Sequence, residues 1–302
     1  MAAIAPALVA LLERAQRPDR LGSLLKEAVV LVQTVLELLG EEAVGISFNG
    51  GKDCTVLLHI YAAVLYARRT PTLPEGLLPK PSPHIRLPQP QQTLQPSISP
   101  QPSYNPSRPA RTPPPVLSPL PTIASAPESP PHPHSTHHHP PSPLPYQPIR
   151  SVYITAPNPF PELDEFVLAC TERYGLDLWR FGGGMKSALE EWLKCGGGKS
   201  VKGVLVGTRQ GDPNGEVEVL AHTDPTWPQF LRVHPILHWT YSDVWDFLLE
   251  LNVPYCVLYD EGFTSLGSTT NTSPNPLLKK EVGGWEPAYK LQDASQERAG
   301  RH

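Results

Sequence analysis

The glycine-rich segment at residues 47–53 (SFNGGKD) carries residue types that bind phosphate groups. It follows a short apolar run at residues 43–48 and precedes a helical pattern at residues 53–68, so it joins the end of a strand to the start of a helix. Glycines let the backbone approach a phosphate, the free N–H groups of a helix start attract an anion, and Lys52 adds a full positive charge. Asp53 is suited to the magnesium ion that accompanies a nucleotide. The segment therefore predicts a nucleotide phosphate site, with an ordinary turn between a strand and a helix as the alternative.

A second polar segment, at residues 208–213 (TRQGDP), follows the strand-like run at residues 202–207. Parallel strands bring their carboxyl ends to one edge of a sheet, so Arg209 and Asp212 are expected to reach the same site, with a surface turn as the alternative. Residues 196–200 (GGGKS) resemble the end of a Walker A loop. Leu193 stands where that motif needs its first glycine, and the segment leads into a strand, so we interpret it as a turn at a helix end. Trp227, Phe230 and Trp239 are candidates for stacking on a planar ligand, although core packing is the commoner role of such residues.

The elements that must position these segments alternate along the chain. The first predicted helix begins after Ser23 and ends at Gly40, and the last is capped by Thr240 with Asp243 at its third position. The predicted strands lie at residues 43–48, 151–155, 176–181 and 202–207, and the predicted helices at 24–39, 53–68, 161–174, 185–195 and 240–252. This alternation predicts an α/β fold, a Rossmann-like open parallel sheet with helices on both faces.

A proline-rich segment interrupts the predicted domain. Of the 39 prolines, 26 fall within residues 71–148, a segment with only two acidic residues and one glycine. Such a composition cannot bury enough apolar surface to offset chain entropy, so we predict that residues 71–148 form a disordered insertion. Residues 1–70 and 149–302 then form a single domain. The histidines at positions 132, 134 and 137–139 are interpreted as part of a polar tract and not as a metal site.

Composition restricts the partners and the compartment. The net charge of −4 provides no basic field for a nucleic acid, and no apolar run reaches the roughly 20 residues of a membrane span. Four cysteines far apart in the sequence are typical of reduced thiols. The apolar start at residues 1–12 lacks the positive charge of a secretory signal and runs into Glu13 and Arg14. We therefore expect a cytoplasmic monomer that binds neither nucleic acid nor membrane.

Several ordered motifs resemble a known family. They lie at residues 47–54 (SFNGGKDC), 207–213 (GTRQGDP), 227–235 (WPQFLRVHP), 238–245 (HWTYSDVW), 254–267 (PYCVLYDEGFTSLG) and 297–301 (ERAGR). Together they resemble the eukaryotic, fungal-type FAD synthases, which are FMN adenylyltransferases of the phosphoadenylylsulfate reductase-like, ATP pyrophosphatase-like superfamily. The resemblance covers nearly all of the chain outside the insertion.

The resemblance implies an enzyme that transfers AMP from ATP to FMN and releases FAD and pyrophosphate, with Mg²⁺ as cofactor. It implies roles for residues in three of the motifs. The catalytic set is Asn49, Asp53 and Asp212, with Asp53 as the metal ligand; the ATP-binding set is Ser47, Asn49, Gly50, Gly51, Lys52, Gly207 and Arg209; the FMN-binding set is Asp212, Arg298 and Arg301. Residues 268–271 lack an arginine that animal relatives carry, so a flavin contact of this loop is left open.

Two other functions remain as alternatives. A sulfonucleotide reductase shares the phosphate loop and the sheet but needs a nucleophilic cysteine in its C-terminal tail, and residues 296–302 contain none. A non-catalytic scaffold is the other alternative, because the run at residues 113–116 (PPPV) is typical of segments that bind SH3 or WW domains. This second role is compatible with an enzyme.

Overall fold

One mixed sheet organises the protein. The computed structural model describes residues 4–89, 137–138, 144–213 and 215–302. In these residues seven strands form a sheet in the order β2-β4-β3-β1-β5-β7-β6. The strands are β1 Val44–Ser47, β2 His137–His138, β3 Ile149–Ile154, β4 Leu176–Phe181, β5 Gly203–Leu205, β6 Leu220–His222 and β7 Leu231–Val233. The central strands β4, β3, β1, β5 and β7 are parallel, and the edge strands β2 and β6 are antiparallel to their neighbours.

Helices cover both faces of the sheet, as the sequence predicted. They are α1 Ala5–Arg14, α2 Arg20–Leu39, α3 Lys52–Arg68, α4 Pro161–Tyr174, α5 Met185–Lys194 and α6 Tyr241–Glu250. Leu205 of β5 belongs to the larger hydrophobic core with α1, α2, α3, α4 and α6, whereas its neighbour Val204 belongs to a second core with α5. Side chains alternate between the two faces of a strand, so each face of β5 contributes to a different core.

The ends of two helices follow from particular residues. Asp19, and not Ser23 as predicted, caps α2, because its carboxylate accepts the N–H of Gly22 at 2.8 Å. Gly40 ends that helix with a φ of 86°, a backbone conformation that favours glycine. Thr240 and Asp243 form the reciprocal cap of α6 that the sequence predicted.

The first helix was not predicted from the sequence. In α1, Leu8, Leu11 and Leu12 are fully buried in the larger core, and the helix packs against α3. Spacing by three and four residues puts these side chains on one face. Within the described residues, no helix is long and apolar enough to cross a bilayer.

The proline-rich segment is structured at both of its ends. Residues 71–89 and 144–148 are described, and Leu77 and Tyr146 within them are buried in the larger core. The Tyr146 hydroxyl also donates a hydrogen bond of 3.2 Å to the carbonyl of Tyr174. The predicted disorder of residues 71–148 is therefore wrong for both ends, since scattered apolar side chains there reach the core. The polar histidine tract lies outside the described residues apart from the backbone of β2, so its interpretation stays a prediction.

Two deletions test where the packed structure stops. Replacing residues 92–134 with a Gly-Ser linker is expected to leave the Tm within about 2 °C of the wild type, because their composition cannot build a core. Replacing residues 73–145 is expected to lower the Tm by about 8 °C or more, because it removes the buried Leu77. Equal Tm values for the two deletions in thermal unfolding by circular dichroism would contradict this boundary.

Candidate active site

A cavity of about 480 Å³ lies where β1, β3 and β5 end. It is lined by residues that follow all three strands and by part of the C-terminal tail. Eight of the residues that the sequence assigned to the site line it: Ser47, Asn49, Gly51, Lys52, Asp53, Gly207, Asp212 and Arg298. The carboxyl ends of parallel strands are where open α/β sheets bind ligands.

The phosphate loop is held in shape by its own side chains. The amide oxygen of Asn49 accepts the N–H of Gly51 at 3.0 Å and the thiol of Cys54 at 2.9 Å. Gly50 has a φ of 76°, and a Cβ there would lie 2.8 Å from side-chain atoms of Leu163. The lack of a side chain at Gly50 lets the loop pack against α4. Gly50 itself does not line the cavity.

The first turn of α3 presents a positive helix end to the cavity. Lys52 is the first residue of the helix, and its buried N–H donates to the Tyr259 hydroxyl at 2.9 Å. Burial raises the pKa of Tyr259 well above its ordinary value, so the phenol stays neutral and accepts this bond. Sequence analysis did not single out Tyr259, because nothing in the sequence pairs two residues this far apart.

The two polar loops predicted to converge are in contact. A Cβ on Gly207 would lie 2.9 Å from the backbone nitrogen of Cys54, so the loop after β5 passes directly against the first turn of α3. Asp212 lines the same cavity, and its carboxylate accepts the N–H of Arg209 at 2.7 Å. The two loops therefore reach the same cavity.

Arg209 connects these loops to the C-terminal tail through a buried ion-pair network. Its guanidinium is buried, and its Nε lies 2.8 Å from Asp53 Oδ1. Its Nη2 donates to Asp212 Oδ1 at 3.1 Å and to the two carboxylate oxygens of Glu297 at 2.6 and 2.8 Å. Burial lowers the pKa of Arg209, but the three carboxylates outweigh it and hold the pKa above its ordinary value. Arg209 is thus a fixed cation behind the cavity, and it does not line the cavity.

Lys52 belongs to the same network. Its ammonium bonds Asp53 Oδ2 at 3.0 Å and also bonds Glu297, and it lies 5.3 Å from the centre of the Tyr241 ring. Only 2% of the lysine side chain is exposed. Glu297 lies in the motif at residues 297–301, but the sequence predicts no role for it, because a carboxylate that bridges two cations only after folding has no pattern in residue spacing.

The tail that carries the two arginines is anchored by protein contacts. Arg298 is exposed and lines the cavity, and its Nη1 lies 3.5 Å from Ser265 Oγ. Arg301 lies behind Gly267, where its Nη1 donates to the Leu266 carbonyl at 2.7 Å. Of the two arginines assigned to FMN, the structure therefore brings Arg298 to the cavity and directs Arg301 to the loop behind it.

The donor set fits a magnesium ion that is held mainly by substrate. In the part of the chain that the structure describes, no cluster of three His, Cys, Asp or Glu side chains offers an all-protein metal cage. Asp53 Oδ1 is buried, and it lies 2.8 Å from Arg209 Nε without forming a hydrogen bond. Magnesium in nucleotide sites is commonly bound by one or two carboxylates together with phosphate oxygens. Asp53 meets that requirement.

Several other sequence assignments are settled by position. Residues 196–200 form the turn after α5, before the amino end of β5, where the carbonyl of Gly197 accepts Arg150 at 3.1 Å. Phe230 and Trp239 are buried in the cores, and Trp227 packs against the smaller one, so none of the three lines the cavity. Residues 268–271 do not line it either.

The chain is similar to known proteins in sequence and in structure. The sequence profile of the phosphoadenosine phosphosulfate reductase domain matches residues 197–274. A probable FAD synthase of Schizosaccharomyces pombe is 45% identical over 155 residues, which are 51% of this chain and 58% of that protein. A probable FAD synthase of Caenorhabditis elegans is 32% identical over 283 residues, which are 92% of this chain and 40% of that protein. The crystal structure of Candida glabrata FMN adenylyltransferase with FMN and the ATP analogue AMPCPP has a TM-score of 0.65 at 22% identity and covers 98% of each chain.

The chain is similar in sequence to curated FAD synthases. Its resemblance to the fungal proteins and its single parallel-dominated sheet, both expected from the sequence, are confirmed. The chain spans about half the length of these two curated relatives, so its activity is a proposal.

The contact between Tyr259 and Lys52 gives a first prediction for the site. Tyr259→Phe is expected to lower the free energy of unfolding by about 1–3 kcal/mol, because a buried N–H loses its acceptor. Tyr255→Phe is the matched control, since that hydroxyl donates to Asp260 in an exposed bond, and it should change the value by less than about 0.5 kcal/mol. Urea unfolding measures both, and equal losses would contradict the assignment.

Proposed function

We propose that the protein is an FMN adenylyltransferase, which transfers AMP from ATP to FMN. One observation carries the proposal: the phosphate loop and Arg298 of the tail line the same cavity. In this reaction an oxygen of the FMN phosphate attacks the α-phosphorus of ATP. The bond from that phosphorus to the bridging oxygen of the β-phosphate breaks, and pyrophosphate leaves as FAD forms.

The proposed ATP subsite is the loop that opens α3. The positive end of the helix and N–H groups of its start other than those of Gly51 and Lys52, which bond Asn49 and Tyr259, bind the β- and γ-phosphates, which become the leaving pyrophosphate. Asn49 fixes the shape of the loop through its bonds to Gly51 and Cys54. We assign Ser47 and the backbone near Gly207 to contacts with the rest of ATP.

The proposed cation set neutralises two substrates that repel each other. Asp53 would hold magnesium, which when bound withdraws charge from the phosphate oxygens. Arg298 would bind the FMN phosphate, because a guanidinium can bond two phosphate oxygens at once. Arg209 acts behind them by holding Asp53 and Asp212 in place.

No protein nucleophile is assigned. The thiol nearest the phosphate loop is Cys54, and burial raises its pKa to about 12, so the thiolate form is scarce at neutral pH. Orientation and charge stabilisation of the two phosphates therefore carry the proposed mechanism. Asp212, whose pKa is raised by burial, completes the proposed catalytic set with Asn49 and Asp53.

Three further expectations are not tested by the described residues. The SH3 or WW partner of the proline-rich segment, the monomeric state and the cytoplasmic location each stay a prediction. The run at residues 113–116 lies outside the described residues.

The direct assay incubates the purified chain with FMN, ATP and magnesium and separates the flavins by chromatography. FAD and pyrophosphate are expected in equal amounts. Riboflavin in place of FMN should give no product, because it lacks the attacking phosphate. Absence of FAD from the complete mixture, with FMN and ATP both bound, would contradict the proposed function.

Asp53→Ala tests the metal ligand. FAD formation is expected to fall by about 100-fold or more, because charge stabilisation at the transferred phosphate is lost. Asp224→Ala is the matched control, since Asp224 is exposed and distant from the cavity lining. Circular dichroism checks the fold of both variants, and a folded Asp53→Ala variant with wild-type turnover would refute the assignment.

Arg298→Ala tests the proposed FMN contact. The Kd for FMN should rise by about 10- to 100-fold while ATP affinity is unchanged, because one charged hydrogen bond to a phosphate is lost. Lys199→Ala is the control, because it removes an exposed cation from the turn at residues 196–200. Flavin fluorescence quenching measures FMN binding, and unchanged FMN affinity in Arg298→Ala would exclude the contact.

A further inference from the structure

Glu297 is the one residue of the tail that bonds both site cations in the described structure. Its side chain is 15% exposed and lines the cavity, and it accepts bonds from Lys52 and Arg209. Both cations are buried. A carboxylate thus stands within the site proposed for phosphates.

The backbone at Gln296 and Glu297 is held by hydrogen bonds from Thr264 and Asn275. The carbonyl of Glu297 accepts the Thr264 hydroxyl at 2.6 Å, and the carbonyl of Gln296 accepts the buried side chain of Asn275 at 2.8 Å. The side chain of Glu297 therefore links the phosphate loop to the tail, while its backbone is held by the loop that begins at Phe263. Arg298 is the next residue, so the side-chain link and these backbone bonds together set its position.

The two bonds of Glu297 are not equivalent. Arg209 is committed to protein carboxylates, since it bonds Glu297 twice through Nη2 and also contacts Asp53 and Asp212. Lys52 has three donor hydrogens, of which Asp53 and Glu297 occupy two. One donor hydrogen of Lys52 is left, but a phosphate that enters next to this ammonium is repelled by the Glu297 carboxylate, so the two anions compete for Lys52. The bonds of Glu297 to Arg209 stay in place.

The net charge of this ion-pair network also distinguishes the two bonds of Glu297. The network holds two cations and three carboxylates, so it carries one excess negative charge beside the proposed polyphosphate subsite. Of the three carboxylates, Glu297 alone belongs to the segment that carries Arg298. Its negative charge opposes ATP, whereas its bonds favour the position of the residue proposed for FMN.

We infer that Glu297 is a positioning residue for FMN: its bond to Arg209 fixes Arg298 at the cavity, and its bond to Lys52 is exchanged for a phosphate of ATP. This inference rests on the proposed function, and it makes opposite predictions for the two substrates. Loss of the carboxylate should weaken FMN binding and should not weaken ATP binding. A purely structural role would weaken both.

The test measures the two affinities separately in Glu297→Gln. The Kd for FMN is expected to rise by about 10-fold or more, because the charged bonds that hold the tail are lost. The Kd for ATP, from isothermal titration calorimetry, is expected to stay within about threefold or to fall, because a competing negative charge is removed. Glu286→Gln is the matched control, since Glu286 is a half-exposed glutamate that pairs with Lys280 at 3.6 Å and does not line the cavity. Parallel weakening of both substrates, or no change in FMN affinity, would overturn the inference.

A second variant answers the same question if Glu297→Gln does not fold. Thr264→Val keeps the carboxylate but removes the bond to the Glu297 carbonyl. It should weaken FMN binding with ATP affinity retained, and weakening of both substrates or of neither would again overturn the inference. The wild type keeps the two questions apart: if it fails to bind FMN, the proposed function fails, whereas normal FAD formation with an indifferent Glu297→Gln rejects the positioning role alone.

Discussion

The arrangement of the site depends on satisfying the charge of one buried guanidinium. Arg209 is 4% exposed, and a charge so removed from water is tolerated only when partners of opposite charge surround it. Its partners come from three separate parts of the chain: Asp53 at the start of α3, Asp212 in the loop after β5, and Glu297 in the tail. These ion pairs hold the three segments together around the guanidinium.

Sheet topology explains why these segments meet. From β1 the chain crosses by α3 to β3 on one side, and after β4 it returns by α5 to β5 on the other side of β1. The loops after β1 and β5 therefore leave adjacent strands at a point where the strand order reverses, which is where open α/β sheets form a crevice. The tail closes this crevice through Arg298 and Glu297.

Patterns of neighbouring residues in the sequence predicted most of the helices and the central strands of the sheet. The predicted bounds of α4 and β4 match the structure, because Pro161 begins the helix and Gly175, with a φ of 66°, ends it. The three-residue strands β6 and β7 were missed, since so short a segment shows no clear alternation. The loop at residues 47–53 was predicted as a phosphate site because the residues of that pattern are neighbours in the sequence. The pair of Arg209 and Glu297, 88 residues apart, was not, because a contact made only by folding has no local pattern.

The central claim is that ATP and FMN occupy one cavity, with the tail between the phosphate loop and the flavin phosphate. A crystal structure of this chain soaked with FMN and a nonhydrolysable ATP analogue tests it most directly. The account predicts the analogue's β- and γ-phosphates on the backbone of residues 49–52, the FMN phosphate in hydrogen-bond contact with Arg298, and Glu297 still bonded to Arg209. An FMN phosphate bound away from Arg298, or a nucleotide bound outside the loop at residues 49–52, would contradict it.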